Sequence, residues 1–140
     1  MTYKDKIQAY YTRQAAEHGE KSTSTMPDLA VRELEVAAII GALHRLTTPG
    51  SRPKLLELGC GNGFLLSCIA EEFGDSFELF GVDFTVPLLE EARGRDLDCE
   101  FVEGTLPGLP FDDDFLDIVI SERVIINLLD EEEQVETFRE

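Results

Sequence analysis

The sequence predicts an α/β chain, a doubly wound parallel sheet preceded by two helices. Three observations carry that expectation. From Pro53 onward, short apolar runs alternate with helical stretches. The strand candidates are apolar throughout, as strands covered on both faces are. The first of them leads into a glycine-rich turn from which a helix leaves. Strand and helix in alternation imply right-handed crossovers between parallel neighbours.

In chain order, a helix is expected over residues 4–18, then a polar loop over 19–25. A second helix opens at Thr25-Met26-Pro27-Asp28, where a Thr cap, an early Pro and a first-turn acid are start signals. Its apolar residues Val36, Ile39, Ile40, Leu43 and Leu46 recur at helical spacing, so one face is buried. Thr47-Thr48-Pro49-Gly50 ends it. Strands are expected over 54–58, 77–82, 100–102 and 115–120, and helices over 63–73, 87–93 and 130–140. The last helix begins with acids that suit the positive end of a helix dipole, and it shows no stop signal before Glu140. By the alternation, another strand should receive its apolar face. The sheet is therefore expected to be incomplete on its C-terminal side, the chain being a truncated piece or one whose sheet a dimer mate or partner chain completes. Residues 1–50 read as an N-terminal helical segment and 51–140 as the core, one structural domain overall.

Composition narrows the function. The chain has 140 residues, 43% apolar and 29% charged, in the range of globular proteins. A domain of this size buries close to about 70% of its unfolded surface, enough for one core. With 12 basic and 29 acidic residues its net charge is −17, which would repel a phosphate backbone and argues against nucleic acid and anionic membranes as partners. No apolar run approaches the roughly 18 residues needed to cross a bilayer. No apolar stretch follows the first lysines, so a secretory signal is not expected. Cys60, Cys68 and Cys99 are odd in number and lack metal-ligand spacing. Free thiols in a cytoplasmic protein are the expectation. The acidic runs 112–114 and 130–133 point in different directions on a turn and a helix start, so they read as solvated and no metal is expected.

The strongest local signal is Leu55-Leu56-Glu57-Leu58-Gly59-Cys60-Gly61-Asn62-Gly63-Phe64. Glycine is needed where a backbone turns tightly and where a ligand lies directly against it. Asp83 closes the next strand candidate, 83 − 63 = 20 residues past the last of these glycines. At that offset an acid can accept hydrogen bonds from both ribose hydroxyls of an adenosine held over the turn. A dinucleotide site prefers Gly-x-Gly-x-x-Gly. Here the spacing is Gly-x-Gly-x-Gly, and Glu57 precedes it, an acid better placed beside a cationic sulfonium and ammonium than beside a pyrophosphate.

The segment 57–63 resembles the first motif of class I S-adenosylmethionine-dependent methyltransferases, and Asp83 matches that family's ribose-binding acid. Residues 101–111 are similar to its adenine-side loop, 114–121 to its fourth strand, and 121–129 to the subsequent loop in a small-molecule-type subgroup. The resemblance covers about residues 53–140 and implies a Rossmann-like core. It implies S-adenosylmethionine as cofactor and methyl transfer to a small-molecule nucleophile by direct displacement. Carried over, Gly59, Cys60, Gly61 and Gly63 form the turn on which the methionine part of the cofactor lies, and Glu57 helps set its amino group. Asp83 takes the ribose, Phe84 packs on the adenine, Thr105 and the backbone N–H of Leu106 reach the adenine edge, and Ser121 lies beneath the sulfonium. The N-terminal helices are similar to the lid of small-molecule methyltransferases, with Tyr11 and Arg32 as candidates for holding the cofactor carboxylate. No catalytic base is identified, His18 reading as surface. Two alternatives stay open: an S-adenosylmethionine-binding subunit inactive without a partner, and a dinucleotide-dependent oxidoreductase.

Overall fold

In the computed structural model, which describes residues 1–139, four parallel strands form one sheet in the order β3-β2-β1-β4. They are β1 (Lys54–Leu58), β2 (Glu78–Asp83), β3 (Cys99–Glu103) and β4 (Ile118–Ser121). The helices are α1 (Tyr3–His18), α2 (Leu29–Leu46), α3 (Phe64–Phe73), α4 (Val86–Arg93) and α5 (Glu131–Thr137). The chain steps outward from β1 through β2 to β3, then returns to the other side of β1 for β4. That reversal opens a crevice at the carboxyl ends of β1 and β4, where open α/β sheets bind ligands.

Apolar side chains on both faces of β1 and β2 hold the sheet between two layers. On one face Leu55, Leu79, Leu65, Leu66 and Ile69 form a buried cluster, against which Val36, Ile39 and Ile40 of α2 pack with buried Leu43. On the other, Leu56, Leu58, Phe80 and Val82 meet Leu106 and Leu128. Phe111 and Phe115 stack at 5.5 Å beside them, each edge-on to Phe80. Two-sided cover fails at the edges: Val119 of β4 is 52% exposed and Ser121 is exposed. An edge strand has a neighbour on one side only, and β4 pairs with β1 alone among the described strands.

Local chemistry explains where element ends depart from the sequence reading. The second helix starts at Leu29, because the Asp28 carboxylate accepts from the N–H groups of Ala30 and Val31 (3.1 and 3.2 Å). Thr25 instead comes after a short 3-10 turn, Ser22–Ser24. A capping box joining Thr2 and Asp5 opens α1. Leu46, expected on the buried face of α2, is 60% exposed at its last turn. β4 begins three residues later than expected, since the chain still turns at Phe115, whose N–H reaches Asp112 O. The last helix ends at Thr137, and Glu140 lies outside the described residues. A single 3-10 turn, Ile125–Asn127, lies in the segment after β4, within the stretch that resembles the family's loop and turn. Among the described residues no helix is long and apolar enough to cross a membrane.

Candidate functional site

The crevice is a cavity of about 610 Å³. Gly59 and Gly61 form its floor, Asp83, Phe84, Thr105 and Leu106 one wall, and Glu122, Val124 and Asn127 the opposite wall. Tyr11 and Thr25 reach in from the N-terminal segment. Of the residues singled out from the sequence, Gly59, Gly61, Asp83, Phe84, Thr105, Leu106 and Tyr11 are thus gathered around one space.

Asp83 is the best-defined group there. It is 7% exposed. Its Oδ2 accepts from the N–H of Gly61 (2.9 Å) and its Oδ1 from the N–H of Thr85 (2.7 Å). The strand end and the glycine turn therefore fix the plane of the carboxylate from both sides. Burial raises its pKa, and the two backbone donors pull it back. The turn itself needs glycine. Gly59 and Gly61 sit at φ +65° and +52°, and a Cβ on either would lie 2.2 Å from Val124 Cγ2 or 2.8 Å from Thr25 Cγ2. These glycines admit the segments on either side of the cavity as well as any ligand.

Five expected contacts fall elsewhere. Gly63 points away from the cavity, its Cβ direction meeting Ala92 and Phe101 at 3.1–3.3 Å, so it serves the close packing of α4 and β3. Cys60 is 4% exposed in the core beneath Gly81, and burial raises its thiol pKa well above the usual value. Ser121 is exposed at the end of β4, and the next residue, Glu122, enters the cavity wall in its place. Arg32 is 7% exposed, and its Nη1 donates to Glu122 Oε1 at 2.5 Å. Its guanidinium also lies 5.2 Å from the Phe64 ring. A buried cation takes the nearest buried acid, and no open face of Arg32 lines the cavity. Glu57 is 4% exposed beneath the turn rather than in the lining, with Oε2 lacking a hydrogen-bond partner. His18 likewise lies off the cavity, its Nδ1 3.3 Å from Thr23 Oγ1.

Other residues of the site were not read from the sequence. Glu122 and Arg123 come directly after β4, and Arg123 donates through Nε and Nη2 to Glu35 Oε1 of α2 at 2.9 and 2.5 Å. That contact holds the Glu35 carboxyl below its usual range, whereas burial and the neighbouring Glu35 push Glu122 up. Two charged residues directly before the mostly apolar run 124–129 were the available signal. Asn62, one of the variable positions of the glycine turn, is 1% exposed and fully engaged.

Glu57 yields a stability prediction. Burial raises its pKa well above the carboxylate range, Glu122 and Asp83 add to that, and Arg32 opposes it. A carboxyl whose folded pKa is raised binds its proton more tightly when folded, so its contribution is greatest below the unfolded value and is lost as pH rises through the folded one. Glu57→Gln removes that loss. The Tm of the variant relative to the native protein should therefore be higher at pH 8 than at pH 5, read by thermal melts at both. Asp83 and Glu122 are raised too and lose stability in the same direction in both proteins, so the difference reports Glu57 together with its coupling to these two acids. Parallel melting behaviour at the two pH values would refute it.

A parallel sheet with a glycine turn after β1, an oriented acid at the end of β2 and a crevice at the strand reversal defines a Rossmann-like α/β fold. The chain belongs to the methyltransferase domain family, whose model matches residues 55–140. It is 35% identical over 92 residues to an arsenite methyltransferase of Halobacterium salinarum, covering 61% of this chain and 23% of that one. It is 28% identical over 108 residues to the aklanonic acid methyltransferase DauC of Streptomyces sp. strain C5, covering 71% and 48%. The solved Haemonchus contortus phosphoethanolamine N-methyltransferase 1, with phosphoethanolamine and S-adenosylhomocysteine, shares the fold at TM-score 0.73 and 16% identity, over 99% of this chain and 29% of that one. The chain spans about a quarter to a half of the length of the curated relatives it matches.

Proposed function

We propose that this chain binds S-adenosylmethionine in the crevice and takes part in methyl transfer to a small-molecule nucleophile. The observation that carries the reading is Asp83, a buried carboxylate whose two oxygens are oriented by backbone N–H groups and which borders a cavity floored by Gly59 and Gly61. A carboxylate is acceptor-only, with roughly four lone-pair sites. With one site on each oxygen taken by the backbone, it is suited to a pair of adjacent hydroxyl donors. Phe84, Thr105 and Leu106 would hold the adenine beside it. Gly59, Gly61 and Tyr11 would border the methionine part.

When bound, S-adenosylmethionine would supply an electrophilic methyl carbon, to which the acceptor bonds as the S–CH3 bond breaks and S-adenosylhomocysteine leaves. The chain's own residues orient and enclose. Asp83 fixes the nucleoside end, and Glu122, whose Oε1 is taken by Arg32, borders the cavity as a polar group. The two basic residues of the lining are already engaged, Lys4 with Glu133 (2.8 Å) and Arg123 with Glu35. Positioning and exclusion of water are the main requirements of such a transfer. The relatives' substrates, arsenite and aklanonic acid, support a small-molecule acceptor, which we place on the Glu122 and Asn127 side of the cavity, across from Asp83.

The test is titration calorimetry of S-adenosylhomocysteine into the folded chain, with binding near one equivalent expected. No heat in a folded sample would overturn the reading. A second reading, a cofactor-binding chain that acts with a partner, is favoured by the edge strand β4, whose Val119 is 52% exposed. Chromatography coupled to light scattering separates the two, a monomer that binds cofactor and methylates an acceptor speaking against the second. The dinucleotide alternative has no support from the family to which the chain belongs.

A further inference from the structure

Asn62 stands out because it is buried, polar and outside the cavity. It is 1% exposed. Its Nδ2 donates to the carbonyls of Gly19 and Lys21, both at 2.9 Å. Its Oδ1 accepts from the N–H of Phe64 (3.3 Å) at the start of α3. The carbonyl between them, Glu20 O, accepts from Arg95 Nη2, and Arg95 Nε donates to the backbone carbonyl of Asn62 itself at 2.5 Å. Three successive carbonyls of the 19–21 loop are thus taken by donors from the glycine turn and from the end of α4. A polar loop has been stitched to the floor of the site.

The stitching is consequential because residues on both sides of the loop line the cavity. On its C-terminal side, Thr25 lies against Gly61 and borders the cavity, and Arg32 Nη2 reaches its hydroxyl at 3.5 Å. On its N-terminal side is α1, whose Lys4, Asp5, Ile7, Gln8 and Tyr11 border the same cavity. The stitched loop lies in the chain between these two sets of lining residues, so its position bears on how both are held against the cavity.

We infer that Asn62 is a positioning residue: by fastening the 19–21 loop across the glycine turn it makes docking of the N-terminal segment and occupancy of the cavity one coupled equilibrium. The inference rests on the proposed cofactor site. Coupling of this kind is reciprocal. A ligand that contacts both walls must hold the segment down, and a segment that is loosened must weaken the ligand by the same factor.

The experiment uses trypsin, which cleaves after Lys21, on the full chain with and without saturating S-adenosylhomocysteine, alongside calorimetry. Cleavage of a transiently opened segment tracks the open population when reclosing is fast. In the native protein the ligand should slow cleavage at Lys21 by about tenfold or more. Asn62→Asp keeps the oxygen that receives the Phe64 N–H but lacks both donors. It should cleave faster at Lys21 without ligand and bind S-adenosylhomocysteine about tenfold more weakly. Arg95→Gln, which keeps the Asn62 side chain and its donors but loosens Glu20 O and Asn62 O, should move both readouts in the same direction and serves if Asn62→Asp does not fold. A purely structural role for Asn62 would lower Tm without giving the native protein any ligand dependence at Lys21. Binding in the native protein with unchanged cleavage, or native-like affinity in a variant that is cleaved faster at Lys21, overturns the inference and leaves the cofactor site standing. Absence of binding in the native protein overturns both.

Discussion

Replacing Asp83 by alanine is expected to weaken S-adenosylhomocysteine binding by at least about a hundredfold. A hydrogen bond to a charged acceptor contributes about 1.5–3 kcal/mol, and the Asp83 carboxylate offers one acceptor site per oxygen beyond those used by Gly61 and Thr85. Loss of two such bonds corresponds to about 3–6 kcal/mol, or roughly 10²- to 10⁴-fold in Kd. The same change strands two backbone N–H groups, so some loss of Tm accompanies it. Asp83→Asn tests the charge separately. Its amide must set one N–H donor against a backbone donor or turn it toward the cavity, and binding should fall there too. Affinity of the native protein should also fall on acidification through the raised Asp83 pKa, because the protonated carboxyl has lost an acceptor site. Calorimetry on variants shown to be folded by circular dichroism decides the matter. Undiminished binding in Asp83→Ala would remove the ribose role.

Asp83 was legible in the sequence because its signals are local: an apolar run ending in an acid, a fixed offset from a glycine turn, and a pattern of strands that puts both at the same end of a sheet. The alternation of elements was legible for the same reason, since burial on two faces leaves β1 and β2 mostly apolar, Glu57 and the strand-end charges excepted. Arg32 was misplaced because its environment is set 90 residues away, by Glu122, and no local pattern states that a cation will be buried against a particular distant acid. Ser121 and Glu122 differ by one position, and the pleat decides which of them faces inward. Cys60 and Gly63 lie in the glycine turn yet face the core and α4, because each residue of a tight turn points in its own direction. Asn62 gave no signal at all. Its importance comes from two carbonyls in a loop some 40 residues earlier, a contact that only the docking of the N-terminal segment creates.

The glycine turn offers the second large effect. Gly59→Ala is expected to destabilise the chain by about 2–5 kcal/mol, from about 1–2 for a left-handed φ on a residue with a Cβ and about 1–3 for overpacking. Both causes are visible: φ is +65°, and the new Cβ would lie 2.2 Å from Val124 Cγ2. Against a total stability of about 5–15 kcal/mol this is a large share. Two further variants separate the causes. Gly74 also has a positive φ, +54°, but a Cβ there meets nothing within 4 Å, so Gly74→Ala should show the backbone cost alone. Gly59→Ala combined with Val124→Ala removes the clashing methyl, though Val124 Cβ itself would remain 3.4 Å away. The double variant should regain much of the packing loss relative to Gly59→Ala and none of the backbone loss. Urea unfolding of the four proteins measures each step as a shift in midpoint at constant slope. If Gly59→Ala costs no more than Gly74→Ala, Val124 yields freely and the two walls of the crevice are not held against the turn. If it costs more and the double variant recovers it, the contact between Gly59 and the segment after β4 sets the width of the cavity on the side where the acceptor is proposed to sit.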